Sequence, residues 1–482
     1  MSKPVSVLAV VLPLAFAIRL AVALAFPNVL ALDEVFQNLE QAHRVVFGQG
    51  VVPWEFQVGL RSWLIPLLLA GPMALAHFFT AAPLAGLVFI RFLLVLASLP
   101  IVWCGTQWGE KFYGRPGAWV AGLLTALWPD LWVMAPHPLE EVLAADVLVP
   151  AIFLVEASPK NLRFVALAGF LLGVVFILRL QLAPAVAMAG IALCGRNLAR
   201  WRAGLLAGAL VVLAAGLLDW ISWGQPFRSF FLNVDLNVFR HLAAAQFGTA
   251  PAGFYGSILL RDWLFALPVM VFFAWRGAKK LPVTGIAILV ILLTHSLIPH
   301  KEFRFIYPAI ALAVPLAGVG LAGLWANRPG IAGYFFAALA LLGPFCSPWL
   351  YFFLMQERAS FTGFRYLAAQ SPRLVAIDTT RISFVPLDIL FTGQTRMTGM
   401  TVFNQPAPRP DFVIASRGVP APPGYHIARC LPGGWTPFRQ APPGFCAWAA
   451  DAPVADTGAA PPLDFGTPQA AIPFLRAPRE GQ

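Results

Sequence analysis

Residues 5–26 read VSVLAVVLPLAFAIRLAVALAF, an apolar run interrupted by one charge, Arg19. The run is too long for the apolar centre of a secretion signal and lacks a convincing small-residue exit, so it is read as a membrane span of roughly 20 residues. Similar runs follow at 84–105, 116–135, 141–157, 164–180, 183–195, 204–222, 257–275, 281–298, 305–325 and 331–354. With 59% hydrophobic and 11% charged residues among 482, and a mean hydropathy of +0.74, the expected fold class is an all-α polytopic membrane protein of about eleven transmembrane helices.

The net charge of +11 invites a nucleic-acid reading, which the distribution of the charges excludes. Basic residues fall in short clusters between apolar runs: Lys111 with Arg115, Lys160 with Arg163, Arg196 with Arg200 and Arg202, Arg276 with Lys279 and Lys280, then Arg328. The positive-inside bias puts these joins and the amino terminus in the cytoplasm, and the tail outside. The stretch SWLIPLLLAGPMALAHFF at 62–79 would reverse every later loop if it spanned. It is therefore read as an interfacial or re-entrant element of the first outer loop, broken at Pro66, Gly71 and Pro72.

The outer joins hold most of the side chains capable of chemistry. In ALDEVFQNLEQAHRVVFGQG, Asp33, Glu34, Gln37, Glu40, Gln41 and Arg44 recur at helical spacing, as an amphipathic helix lying along the membrane with its acids in water would require. A solvated face accounts for Glu40 and Gln41. Asp33 and Glu34 are adjacent acids directly after a span, and neighbouring carboxylates hold each other's protons more tightly, which suits one of them to act as a base.

Further along come Trp54, Glu55, Arg61 and Trp63. The tryptophans fit interfacial anchors as well as sugar platforms, and snorkelling accounts for Arg61 as well as a lipid phosphate does. The next outer join carries His137, Glu140, Glu141 and Asp146; the acids at a helix start also suit the macrodipole. Residues 219–255 add Asn233, Asp235, Asn237, Arg240, His241 and Tyr255, a mixture that grips carbohydrate and is also ordinary for an exposed loop.

HKEFRFIYP at 300–308 is sharper, because cations on the outer side run against the orientation bias. Lys301 and Arg304 can pair with Glu302 or with phosphate, for which the arginine fork is well shaped.

Of five cysteines, Cys104, Cys194 and Cys346 sit alone in or beside spans as small apolar residues. Cys430 and Cys446 lie in the polar tail, where a disulfide between them is a possible bridge if the tail faces an oxidising compartment. The chain is expected to divide into a membrane domain at 1–356, a small α/β region at 357–450 with strands at RLVAIDTT and PDFVIASRG, and a disordered Ala- and Pro-rich tail at 451–482.

DEVFQNLE at 33–40, PWEF at 53–56, RSWLIP at 61–66, the loop from DWISWG to NVDLNVF and above all HKEFRFIYP resemble glycosyltransferase family 22, in order over about residues 5–325. The family comprises dolichyl-phosphate-mannose-dependent α-mannosyltransferases of GPI-anchor and N-glycan assembly, on the GT-C membrane fold. The resemblance implies an inverting transfer of a sugar, mannose first, from a polyprenyl phosphate carrier to a hydroxyl of a glycan or glycolipid acceptor on the non-cytoplasmic face. That face is periplasmic in a bacterial inner membrane, or lumenal in the endoplasmic reticulum of a eukaryote.

Carried onto these positions, Asp33 is the first choice of base, with Glu34 positioning it or sharing the role. His300, Lys301, Arg304 and Arg61 are expected at the donor phosphate. Gln37, Glu55, Glu140, Glu141, Asn233, Asn237, Tyr255 and Glu302 are expected at the substrates. No GxGxxG segment, P-loop or paired metal-ligand motif occurs, and nothing in the sequence demands a cofactor or metal. A multi-pass transporter or flippase of lipid-linked sugars is the competing reading. It would place ionisable groups nearer the midplane, where only Arg19, Arg91, Asp146 and Arg179 qualify, and would favour an internal repeat, which the sequence lacks.

Overall fold

A computed structural model describes residues 6–82, 84–158, 160–342, 348–378, 385–391, 395–400, 409–432, 444–452, 463 and 466–475. The chain is mostly helical and divides into two compact units. One holds residues 1–25, 92–217 and 241–351; the other holds 26–91, 218–240 and 352–482.

In the first unit the helix Tyr307–Asn327 is apolar all round, and nearly every side chain from Tyr307 to Gly323 is buried, as expected of a helix with no polar face to give to solvent. The helices Ala266–Ala278, Pro282–Leu297 and Glu140–Ala157 pack around it. Close approach depends on absent side chains: a Cβ at Gly320 would run into the carbonyl oxygen of Phe273, and one at Gly277 into that of Leu316. Small residues let membrane helices gain dispersion contacts that lipid would otherwise supply.

The 43-residue helix Ala85–Leu127 doubles back at Tyr113–Gly114, where Gly114 has φ 60° and ψ −156°, a conformation open essentially to glycine alone. Beyond the turn, Gly122 lies against Thr106 and Gly105 against Thr125. This agrees with the expected pair of runs joined at Lys111 and Arg115.

Among the described residues four helices are long and apolar enough to cross a membrane, namely Leu8–Ala25, Ala85–Leu127, Leu198–Trp223 and Phe303–Asn327; Phe254–Trp263 with Ala266–Ala278 makes up to five. The chain is therefore an integral membrane protein, but eleven long helices are not present among the described residues. Several expected spans instead fold as apolar helices of 10–17 residues. The run 257–275 is bent by 110°, with Leu264 at φ 46°.

The stretch 62–79 also differs from expectation. Leu64–Phe79 is one continuous helix that passes through Gly71 and Pro72. Pro66 causes no break because it lies in the first turn, where its missing N–H would have no partner.

The second unit contains a five-stranded sheet of order β2-β1-β3-β5-β4, with β1 Leu374–Asp378, β2 Arg396–Met400, β3 Phe412–Ser416, β4 Tyr425–Leu431 and β5 Phe445–Ala450. β1 is parallel to β2 and β3, and β5 is antiparallel to β3 and β4. The expected strands at RLVAIDTT and PDFVIASRG are β1 and β3, buried along most of their length. Phe364, on the helix Arg358–Ala368, meets the rings of Phe391 and Phe445.

Cys430 and Cys446, paired across β4 and β5, are joined by a disulfide. Cys104 and Cys194 are free and buried; Cys346 lies outside the described residues. Most of 451–482 is also outside them, but Gln469–Phe474 forms a 3-10 turn packed on the helix Trp54–Val58.

The tight helix crossing gives a stability prediction. Gly320→Leu should cost about 1–3 kcal/mol or more, read as a lower melting temperature of the detergent-purified chain. An unchanged melting temperature would show that the crossing can open without loss.

Candidate active site

The first set of side chains belongs to the unit that contains the sheet. Asp33 caps a π-helical turn, Glu34–Leu39, a geometry often found at functional sites because it re-aims side chains within a helix. Asp33 is half-buried. The amide nitrogen of Gln37 donates both to Asp33 Oδ1 at 3.0 Å and to Glu55 Oε1 at 3.2 Å, so one amide holds two carboxylates from separate helices.

Glu34 points inward, 1% exposed, accepts the backbone N–H of Leu30 at 3.1 Å and feels the charge of Arg91. Arg91 in turn donates to the Asn28 carbonyl at 2.6 Å. The geometry therefore leaves Asp33 the more accessible acid and gives Glu34 a bracing position.

Burial lifts the Glu55 carboxyl above the usual carboxylate range. The Arg61 charge and the Gln37 N–H hold it down, while Asp33 pushes it further up. Arg61 itself accepts the Trp223 indole N–H on its backbone oxygen at 3.0 Å, and Trp63, Phe56 and Trp223 form one aromatic group beside it.

The solvated face expected for Glu40 and Gln41 is absent. Both are fully buried, because the chain folds back and Val51 donates its N–H to Glu40 at 2.7 Å while its carbonyl accepts from Gln41 at 3.0 Å. Asn233 and Asn237 lie in this same unit, half-buried on Arg228–Phe239 beside exposed Phe231, Val238 and Phe239. HKEFRF belongs to the other unit.

The second set belongs to the other unit. Arg179, after the helix Leu162–Leu178, sits between two acids at the start of Glu140–Ala157: Nη1 is 2.9 Å from Glu140 Oε2 and Nη2 is 2.8 Å from Glu141 Oε1. Arg304 reaches Glu302 Oε2 at 2.7 Å and Glu141 Oε1 at 3.8 Å. Glu302 also holds His300 Nε2 at 3.0 Å. Both guanidinium groups lie near the Phe305 ring, Arg179 at 4.9 Å and Arg304 at 5.4 Å from its centre, a cation–π arrangement that sets the turn Phe303–Ile306.

Lys301 is engaged differently. Its ammonium donates to the carbonyls of Ala250 at 2.8 Å and Ile298 at 2.5 Å, pinning the loop before Phe254–Trp263. Tyr255, 3% exposed, lies within the field of Arg179, Glu302 and Glu141, whose charges all act on it.

Arg179 and His295 were not read from the sequence as part of a site. Arg179 stood out only as one of four ionisable residues nearer the midplane, under the transporter reading, and its partners lie 39 and 38 positions earlier. His295 carries no local signal at all. Among the described residues no group of three or more His, Cys, Asp or Glu could hold a metal ion.

Residues 10–371 match the model of the Alg9-like mannosyltransferase family. The chain is 30% identical over 314 residues to GPI mannosyltransferase 3 of Yarrowia lipolytica, covering 61% of this chain and 59% of that protein. It is 25% identical over 333 residues to GPI alpha-1,2-mannosyltransferase 3 of Homo sapiens, covering 64% and 57%. The chain thus spans just under three fifths of the length of these relatives. Its fold resembles that of ArnT from Cupriavidus metallidurans, solved bound to undecaprenyl phosphate, with TM-score 0.58 and 13% identity over 92% of this chain and 97% of the other, in keeping with the expected GT-C architecture.

The Glu55 environment gives a pH prediction. The folded chain holds this proton more tightly than the unfolded chain, so stability is highest below the ordinary carboxylate pKa and falls as pH rises through the raised one. Glu55→Gln should flatten the fall in melting temperature as pH rises above the ordinary carboxylate range of about 4. An identical slope in the variant would remove Glu55 as its source.

Proposed function

We propose that this chain, which belongs to the Alg9-like mannosyltransferase family, is an inverting mannosyltransferase that moves a sugar from a polyprenyl phosphate carrier to a hydroxyl of a glycolipid or glycan. Attack of a hydroxyl on an anomeric carbon needs a base for its proton and positive charge for the departing phosphate. Each side-chain set supplies one of these.

Asp33 is the base. The observation that carries this assignment is the Gln37 amide shared between Asp33 and Glu55, which fixes the half-exposed carboxylate in place beside a second, buried one. The acceptor proton passes to Asp33 as the acceptor oxygen bonds to the anomeric carbon. The carbon–oxygen bond to the phosphate breaks on the opposite face, and the configuration inverts. Glu34, held from Leu30 and facing Arg91, keeps the π-turn in register.

Charge on the leaving phosphate is met by Arg304 and His300, with Arg61 a further cation for a lipid phosphate. Lys301, donating to two carbonyls, shapes the join that carries them. Glu140, Glu141 and Glu302 hold the cations in place, while Asn233, Asn237 and Tyr255 remain the choices for sugar contact.

The basic joins support a site on the non-cytoplasmic face, in a reading where about eleven apolar segments, shorter ones included, thread the bilayer. The names of the relatives favour a GPI-type glycolipid acceptor and an endoplasmic reticulum setting over a bacterial one.

Asp33→Asn, in membranes supplied with polyprenyl phosphate mannose, should lower transfer by about 10²–10⁴-fold with donor KM little changed; near-normal turnover would remove Asp33 as base. Arg304→Ala should raise donor KM about tenfold or more, and an unchanged donor KM would detach Arg304 from the phosphate.

A further inference from the structure

Among the buried polar atoms of the cationic set with no hydrogen-bond partner among the described residues are the Tyr255 hydroxyl and His295 Nε2. Their residues are 3% and 1% exposed. Buried polar groups are nearly always paired, so each such atom calls for a partner that the protein itself does not supply. Tyr255 stands on Phe254–Trp263 and His295 on Pro282–Leu297, and these helices pack on each other and on the turn Phe303–Ile306. Arg179 directly precedes the turn Leu180–Leu182, which packs on Pro282–Leu297; its charge acts on both side chains, and its Nε is likewise unpaired.

The chemistry of the missing partner follows from the atoms. His295 Nδ1 lies 2.8 Å from the Ile291 carbonyl oxygen, which only accepts, so Nδ1 carries the proton and Nε2 of the neutral ring offers a lone pair. A phosphate diester or carboxylate has no proton to give it. The Arg179 Nε–H can only donate, and the tyrosine hydroxyl can do either. A group that donates to Nε2 while accepting from a neighbour is a water or a hydroxyl, and hexoses carry hydroxyls in abundance.

Resting on the reading of the cationic set as the donor end, we propose that Tyr255 and His295, beside Arg179, read a hydroxyl of the hexose on the lipid phosphate and so help to select the donor sugar. A site built to hydrogen-bond a hydroxyl rejects the analogue lacking it, because its own buried groups are then left unpaired.

The test is direct binding to the full-length purified chain, as wild type, Tyr255→Phe and His295→Phe. The probes are a short-chain polyprenyl phosphate mannose, its 2-, 3-, 4- and 6-deoxy analogues, and the sugar-free polyprenyl phosphate. One deoxy analogue should bind wild type about tenfold or more weakly than the parent sugar, whereas the variants should bind that analogue and the parent nearly alike. All three proteins should bind the sugar-free lipid equally.

Variants that discriminate among the analogues as wild type does overturn the proposal alone. So do variants that weaken every probe, the sugar-free lipid included, since that marks a role in folding. A wild-type chain that binds the sugar-free lipid as tightly as the mannosylated one overturns sugar reading at this site. A wild-type chain that binds no lipid phosphate overturns the donor reading, and the proposal with it.

Discussion

Arg179, gripped by Glu140 and Glu141, is the interaction on which the cationic unit depends. A charge taken out of water among apolar helices has to be paired, and removing one partner of a buried pair typically costs about 3–5 kcal/mol. Pairing Arg179 ties the end of Leu162–Leu178 to the start of Glu140–Ala157. Glu141 extends the chain of charges toward Arg304, and Glu302 joins Arg304 to His300. The shape of HKEFRF follows from this network: Arg304 and His300 do not stand alone between spans but end a chain of alternating charge, with Arg179 and Arg304 beside Phe305.

That chain of charges bears on binding and on catalysis alike. A sugar linked through a phosphate diester brings one negative charge, and the phosphate gains charge as its bond to the sugar breaks. Cations held in place by Glu140, Glu141 and Glu302 meet the donor phosphate in the ground state already. They gain most where new negative charge develops, which is the condition for lowering a barrier and not merely tightening binding. The acid set follows a comparable rule: Gln37 gives one N–H to each of two carboxylates and so aligns Asp33 without neutralising it.

Much of the architecture could be read before the structure. Apolar runs marked the helices, alternating basic joins marked the hairpin at Lys111 and Arg115, and the β-rich segments of the tail became β1 and β3. Hydropathy misjudged the residues whose fate is set by a distant partner. Pro72 does not break Leu64–Phe79, and the run at 257–275 bends at Leu264. Glu40 and Gln41 lost their expected exposure because Val51 folds back onto them. In the site, the type and order of Asp33, Glu55, Glu302 and Arg304 were legible. The Gln37 bridge across 18 positions, the grip on Arg179 and the unpaired Nε2 of His295 were not, since each exists only once separate helices meet.

The central claim, an inverting transfer from a lipid phosphate, is tested most directly by the configuration of the product. Purified chain would be given polyprenyl phosphate mannose in the β configuration, labelled at the anomeric carbon, together with a mannosylated GPI-type glycolipid, and the carbon–proton coupling of the new linkage read by NMR. The account predicts a single new α-linked mannose. A β-linked product, or a donor that is never consumed, would contradict it.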